Sequence, residues 1–273
     1  MNDLTYILPT KIESEDRLRN VITSVSYLLS KFPEAKVLVK EVDTRSTFKF
    51  RAIPEIKKHV STKQLEHIFE ESDGRTFHKT RYLNDLIMMA DTEFVCSHDV
   101  DVVYPVKSHQ LAYNSLKEDR MDVVYPYGCG VWQYQVNYQM EVFQKFLESG
   151  HDVRVIQPHT RTESSTIGWT QWYKRDAVIK GGLWNEEFIS WGAEDCEFYF
   201  RFNMLGYRVG RIDDPIWHFE HARTHNSHYN NPKFMDNHNL WQAIRTWDKE
   251  TLVKYYSQQD YLKARREQLN AGV

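Results

Sequence analysis

The chain has 273 residues, 41% hydrophobic and 27% charged, an ordinary globular composition that excludes collagen-like, low-complexity and fully disordered chains. Lys plus Arg number 35 against 38 Asp plus Glu, a net charge of −3, so nucleic acid or an anionic membrane surface is not expected as the main ligand. Cys96, Cys129 and Cys196 are an odd number with no C-x-x-C, so neither a disulfide framework nor a zinc knuckle is expected and a reducing, cytoplasmic setting fits.

The N-terminal apolar run is short and lacks basic flanks, so it does not read as a signal peptide, and no stretch of about 18 apolar residues is present to span a membrane. Leu4–Leu8, closed by Pro9, reads as a buried first strand. A helix follows from about Ser14, with Leu18, Val21, Ile22, Val25, Leu28 and Phe32 in one stripe. Lys36–Val42 alternates and is β-branched, a second strand. This β-α-β opening implies a parallel sheet with a right-handed crossover. Residues 44–76 are polar and mixed, without a readable element. Leu83, Leu86, Ile87 and Ala90 mark a helix over 79–90, and Glu93–Cys96 is the next strand. A helix near 107–119 and a strand at Asp122–Tyr125 come next. Residues 131–149 read as an aromatic-rich helix and 150–166 as a polar loop. A further helix begins about Trp191–Asp195, with Phe198, Phe202 and Leu205 on one face and Gly206 as its cap. A short strand at Tyr207–Gly210, a His-rich segment 217–238 and a charged helical tail 239–268 complete the chain. Neither an internal repeat nor a Pro/Gly/Ser linker breaks it, so a single domain is expected.

Three groups can carry chemistry. The strand ending at Cys96 runs into Ser97-His98-Asp99-Val100-Asp101, placing two carboxylates at the carboxyl end of a parallel strand, where open α/β sheets put their ligands. Such a pair suits a hard divalent cation shared with phosphates, although a D-x-D can also be a solvated acidic turn. His218-Phe219-Glu220-His221 has i, i+3 spacing, so both imidazoles reach one ion only across a turn. Imidazoles beside carboxylates shift preference from Mg²⁺ toward Mn²⁺. Twelve histidines are present, and surface positions are the plainer reading of many. In Trp191-Gly192-Ala193-Glu194-Asp195 the acids are either complements to a helix dipole or a general base beside a flat sugar-binding face, with Gly192 and Ala193 allowing close backbone approach.

These groups occur in an order that resembles the β-1,4-galactosyltransferases. His98-Asp99-Val100-Asp101-Val102-Val103-Tyr104-Pro105 resembles their D-V-D-L-I-P, and Gly182–Tyr199 their G-F-x-N-x-x-x-G-W-G-G-E-D-D-D. His221-Ala222-Arg223 and Asn231-Pro232-Lys233-Phe234-Met235-Asp236 are similar to their H-S-R and N-P-x-R-F-D, and Phe77–Asn84 to their F-N-R-A-K-L-L-N. Related W-G-x-E-D motifs occur in bacterial chondroitin-type polymerases and polypeptide GalNAc-transferases. The likeness spans about residues 4–236. It implies an α/β fold of the GT-A type, a Rossmann-like mixed, mostly parallel sheet flanked by helices. Residues 1–105 would form the nucleotide-sugar half, 106–238 the acceptor half and lid, and 239–273 a C-terminal helical tail.

The resemblance implies a metal-dependent inverting glycosyltransferase moving a hexose or N-acetylhexosamine from a UDP-sugar to a hydroxyl of a carbohydrate or another acceptor. Asp101 and His221 would ligate Mn²⁺ (Mg²⁺ is the other candidate), with His218 as third ligand where some members have Met. Asp99 would hold the ribose or the metal's water shell. Pro9, Thr10, Lys11 and Lys79 would contact the nucleotide. Asp195 would be the catalytic base, with Trp191, Gly192 and Glu194 around the sugars, and the segment after His221 would be a lid. Departures are Ala193 for Gly, Cys196 for Asp, Thr10 for Phe, Gly168-Trp169 for a Gly-Gly, and no Golgi-type anchor or stem. The residues leave three alternatives: a metal-dependent hydrolase on Asp99, Asp101, His218 and His221; a non-catalytic carbohydrate-binding protein; and a phage-type glycosyltransferase of DNA bases, with Arg154, His159 and Arg161 gripping phosphate.

Overall fold

A computed structural model describes residues 1–162 and 166–270. The chain opens with β1 (Leu4–Thr10), α1 (Glu15–Lys31) and β2 (Lys36–Asp43). Ser14 caps α1 by accepting from the Arg17 amide at 3.2 Å, and Glu15 and Asp16 complement the dipole in its first turn. A π-turn at 48–52 leads into α2 (Ile53–His59), then β3 (Leu65–Glu71), α3 (Lys79–Met89) and β4 (Phe94–His98). The middle of the chain is β5 (Val102–Val103), α4 (Val106–Lys117), β6 (Val123–Tyr125), β7 (Gln133–Val136), α5 (Met140–Glu148) and β8 (Thr160–Thr162). It continues with β9 (Thr170–Lys174), α6 (Arg175–Lys180), α7 (Glu194–Leu205), β10 (Val209–Arg211) and β11 (Ile216–Phe219), and ends in α8 (Phe234–Ile244), α9 (Lys249–Ser257) and α10 (Asp260–Asn270).

Two sheets result. The larger has the order β10-β6-β9-β4-β1-β2-β3, parallel except for β9, which runs antiparallel to both β4 and β6. Along β1, Leu4, Tyr6 and Leu8 enter one apolar cluster with the α1 stripe, while Ile7 enters a second with α3 and α7. Both faces are therefore covered, as a parallel sheet requires. The chain winds outward from β1 through β2 to β3, then returns to β4 on the other side of β1. That reversal opens a crevice beyond the carboxyl ends of β1 and β4. The smaller sheet, β5-β11-β7-β8, stands beside this crevice. Among the described residues no helix is long and apolar enough to cross a membrane.

Several sequence expectations shift. Pro9 lies inside β1 rather than closing it, paired with Lys40 of β2, while β4 pairs only as far as Ile7. The unreadable stretch 44–76 holds the π-turn, α2 and β3. Residues 131–149 are α-helical only from Met140, because a 3₁₀ turn at Gly130–Trp132 leads into Gln133–Val136, which forms β7 between two strands of the small sheet. The polar loop 150–166 contains two short 3₁₀ turns and β8, and its residues 163–165 lie outside the described residues. The strand placed at 207–210 runs from 209 to 211.

Candidate functional site

A cleft of about 440 Å³ opens at the crevice. The end of β1 gives it Pro9, Thr10 and Lys11, the first turn of α3 gives Lys79, and the segment after β4 gives Asp99 and Asp101. Trp191, Glu194 and Asp195 enter from the start of α7, His218 from β11 and His221 from just beyond it. Every sequence-predicted site residue except Gly192 thus borders one space.

Asp101, His218 and His221 offer ligand atoms within 4.8 Å of one another. His221 Nε2 lies 3.1 Å from Asp101 Oδ2, and His218 Nε2 lies 3.6 Å from Oδ1. The i, i+3 spacing works because β11 ends at Phe219, so the backbone turns before His221. Phe219 N–H donates to Asp101 O at 2.7 Å, tying the two segments together. Asp101 Oδ1 is enclosed and, among the described residues, accepts no hydrogen bond. A carboxylate oxygen left bare beside two imidazoles is what a divalent ion of the Mn²⁺ kind requires. Burial pushes the Asp101 carboxyl up, but His218, His221 and Arg17 outweigh it and hold the group well below the usual range.

The second constellation surrounds Lys79, whose Nζ lies 3.2 Å from Asp99 Oδ1 and 3.9 Å from Glu194 Oε1. Burial favours its neutral form, yet Asp99, Asp195 and Glu194 together hold it protonated. Burial pushes Asp99 up to about 7, Lys79 opposing and the Asp101 and Asp195 charges adding to it. Burial and Asp195 take Glu194 to about 7 against Lys79. Asp195 also rises, through burial, against the pull of Lys79, and its Oδ1 is enclosed and, among the described residues, accepts no hydrogen bond.

Gly192, alone of the expected residues, does not border the cleft. It has φ +125°, and its N–H donates to Glu194 Oε2 at 2.9 Å. An added Cβ would stand 3.1 Å from the Phe234 ring, so Gly192 shapes the turn from behind the cleft. Ala193, where the resembling motif has glycine, holds a left-handed φ of +67°. Trp191 stacks on Phe234 at 5.5 Å and meets Tyr229 edge-on at 5.3 Å.

The cleft also contains Gly168 and Trp169, which stand where the resembling family has a Gly-Gly, and residues no sequence motif marked: Glu13, Arg17, Gln135 and Asn226. Glu13 binds Lys11 at 3.0 Å, Thr224 Oγ1 at 2.7 Å and Asn226 Nδ2 at 3.1 Å, and Arg17 reaches Ser227 Oγ at 3.1 Å. The segment after His221 is therefore clasped to the loop following β1. An acid three residues past a strand-ending Pro-Thr was the available hint, too short to distinguish from a helix-start acid.

No protein-family model matches the chain, and no curated protein matches it. Solved structures do resemble it. The mannosyltransferase PcManGT from Pyrobaculum calidifontis, in complex with GDP-Man and Mn²⁺, is 16% identical with a TM-score of 0.55, over 98% of this chain and 74% of that one. S. aureus TarS 1–349 in complex with UDP-GlcNAc is 15% identical with a TM-score of 0.59, over 91% and 69%. GalNAc-T7 with UDP, GalNAc and Mn²⁺ is 12% identical with a TM-score of 0.60, over 98% of this chain and 55% of that one. These are GT-A glycosyltransferases, and at such identities the likeness shows the fold alone.

Proposed function

We propose that this GT-A chain is a metal-dependent, inverting glycosyltransferase that moves a hexose or N-acetylhexosamine from a UDP-sugar to a hydroxyl acceptor. The observation that carries the reading is convergence: one carboxylate with two imidazoles, and an acid beside a tryptophan, border a single cleft at the carboxyl ends of β1 and β4. The resembling structures hold nucleotides or nucleotide sugars, two of them with Mn²⁺.

Asp101, His218 and His221 would hold the ion, Mn²⁺ before Mg²⁺ on their donor set. When bound, it supplies Lewis-acid neutralisation of the diphosphate leaving group. Pro9, Thr10 and Lys11 line the donor end, and Lys79 sets a fixed positive charge beside Asp99. Trp191 offers a ring face to a sugar. Asp195 takes the proton from the acceptor hydroxyl as that oxygen attacks, and a raised carboxyl pKa suits a base near neutral pH. Direct attack from the face opposite the leaving group inverts the anomeric centre. A hydrolase needs no acceptor-sugar face at Trp191, and a binding module has no use for a general base at Asp195. Arg154 is occupied by Asp152 at 2.8 Å and Arg161 by Glu220 at 2.8 Å, which lends no support to the DNA reading.

The test is a thermal-shift panel of UDP- and GDP-sugars with and without Mn²⁺. Expected is a UDP-specific, Mn²⁺-dependent rise in melting temperature that Asp101→Ala removes. Asp195→Asn should keep that rise and lose about 10²–10⁴-fold in transfer. Full-strength nucleotide binding without metal, or unchanged turnover in Asp195→Asn, overturns the reading.

A further inference from the structure

The small sheet sets three polar side chains in a row. Asp101 immediately precedes β5, whose Val102 pairs with His218 of β11. His218 in turn pairs with Gln135 of β7 in parallel register. Paired residues project from the same face, so the register alone delivers the Gln135 amide to the imidazole. Gln135 Oε1 lies 2.8 Å from His218 Nδ1, and Gln135 is only 9% exposed. The Trp169 ring lies nearly parallel to His218, at 5.4 Å and 14°. An amide oxygen only accepts, so a proton on His218 Nδ1 satisfies that contact and leaves Nε2, the atom facing Asp101, to serve as the ligand atom.

We propose that Gln135 is a positioning residue for cation binding: it fixes the tautomer and ring plane of His218, with Trp169 holding the ring's other degree of freedom. This rests on the metal reading given above. A register slip of one residue would set Tyr134 or Val136 opposite His218 and remove the acceptor.

The test titrates Mn²⁺ into the metal-free full chain and follows the EPR signal of the free aquo ion. Gln135→Leu should weaken binding about 10–100-fold, the usual cost of losing a histidine ligand's outer partner. Gln135→Asn keeps the amide but withdraws it by one methylene, and weakens binding in the same direction. Gln135→Glu keeps an acceptor in place and should bind as tightly as wild type or tighter. On a His218→Ala background, Gln135→Leu should cost nothing further, because its action runs through the imidazole. Wild-type affinity in both Gln135→Leu and Gln135→Asn, or an equal loss with His218 already removed, overturns the assignment while leaving the metal site standing. A wild-type chain that binds no Mn²⁺ overturns the metal reading and this inference with it.

Discussion

Asp195 Oδ2 lies so close to Gly168 that a methyl group there would stand 2.2 Å from it. Gly168 is thus where the backbone comes to rest against the proposed base. Gly168→Ala should displace the carboxylate and cost on the order of 10²-fold in turnover, the usual penalty for misplacing a reacting group by about 1 Å. Mn²⁺ affinity should stay at the wild-type level, and a parallel loss of affinity would show that the glycine serves the whole cleft instead. Burial also sets the pH dependence. Asp195 acts as a base only when ionised, and its carboxyl is held above the ordinary 3.8. The rate kcat/KM should therefore rise with pH through an inflection above 3.8. A profile flat down to pH 4 would remove Asp195 from the role.

At the scale of elements, α7 carries the acids on its first turn and is anchored by a buried charge at its middle. Arg201 Nε donates to Glu197 Oε1 at 2.7 Å, its Nη2 to Leu183 O at 2.6 Å and its Nη1 to Gly181 O, while Tyr256 of α9 also bonds Glu197. Arg201→Ala leaves Glu197 charged and enclosed, and should lower stability by about 3–5 kcal/mol in denaturant unfolding. A loss under about 1 kcal/mol would mean that water replaces the guanidinium. This helix was legible in the sequence, as were β1, α1, β2, α3 and β4, because long apolar periods state which face is buried. Asp99 and Asp101 were legible because they follow such a strand directly. The small sheet was not: β5 has two residues and β7 four, too few to show a period, and their pairing is decided by distant segments. With it went the His218–Gln135 contact. Glu13 was hidden for a different reason, since its partners Thr224 and Asn226 lie more than 200 positions away.

Across the whole molecule, the clasp from Glu13 to Thr224 and Asn226 joins the first loop to the segment after His221, the proposed cover of the cleft. Glu13→Ala should loosen that cover and admit water. Free sugar released per sugar transferred should then rise, with donor affinity changed less. An unchanged ratio would make the clasp structural only. The surroundings of Lys79 have a kinetic corollary. Asp99, Glu194 and Asp195 all press their charge on that single ammonium, and Asp101 stands close by. A diphosphate arriving at such a place meets repulsion until a divalent ion has preceded it. If the chain transfers sugars as proposed, the cation should therefore bind before the donor, an order that initial-rate kinetics with varied Mn²⁺ and donor would show.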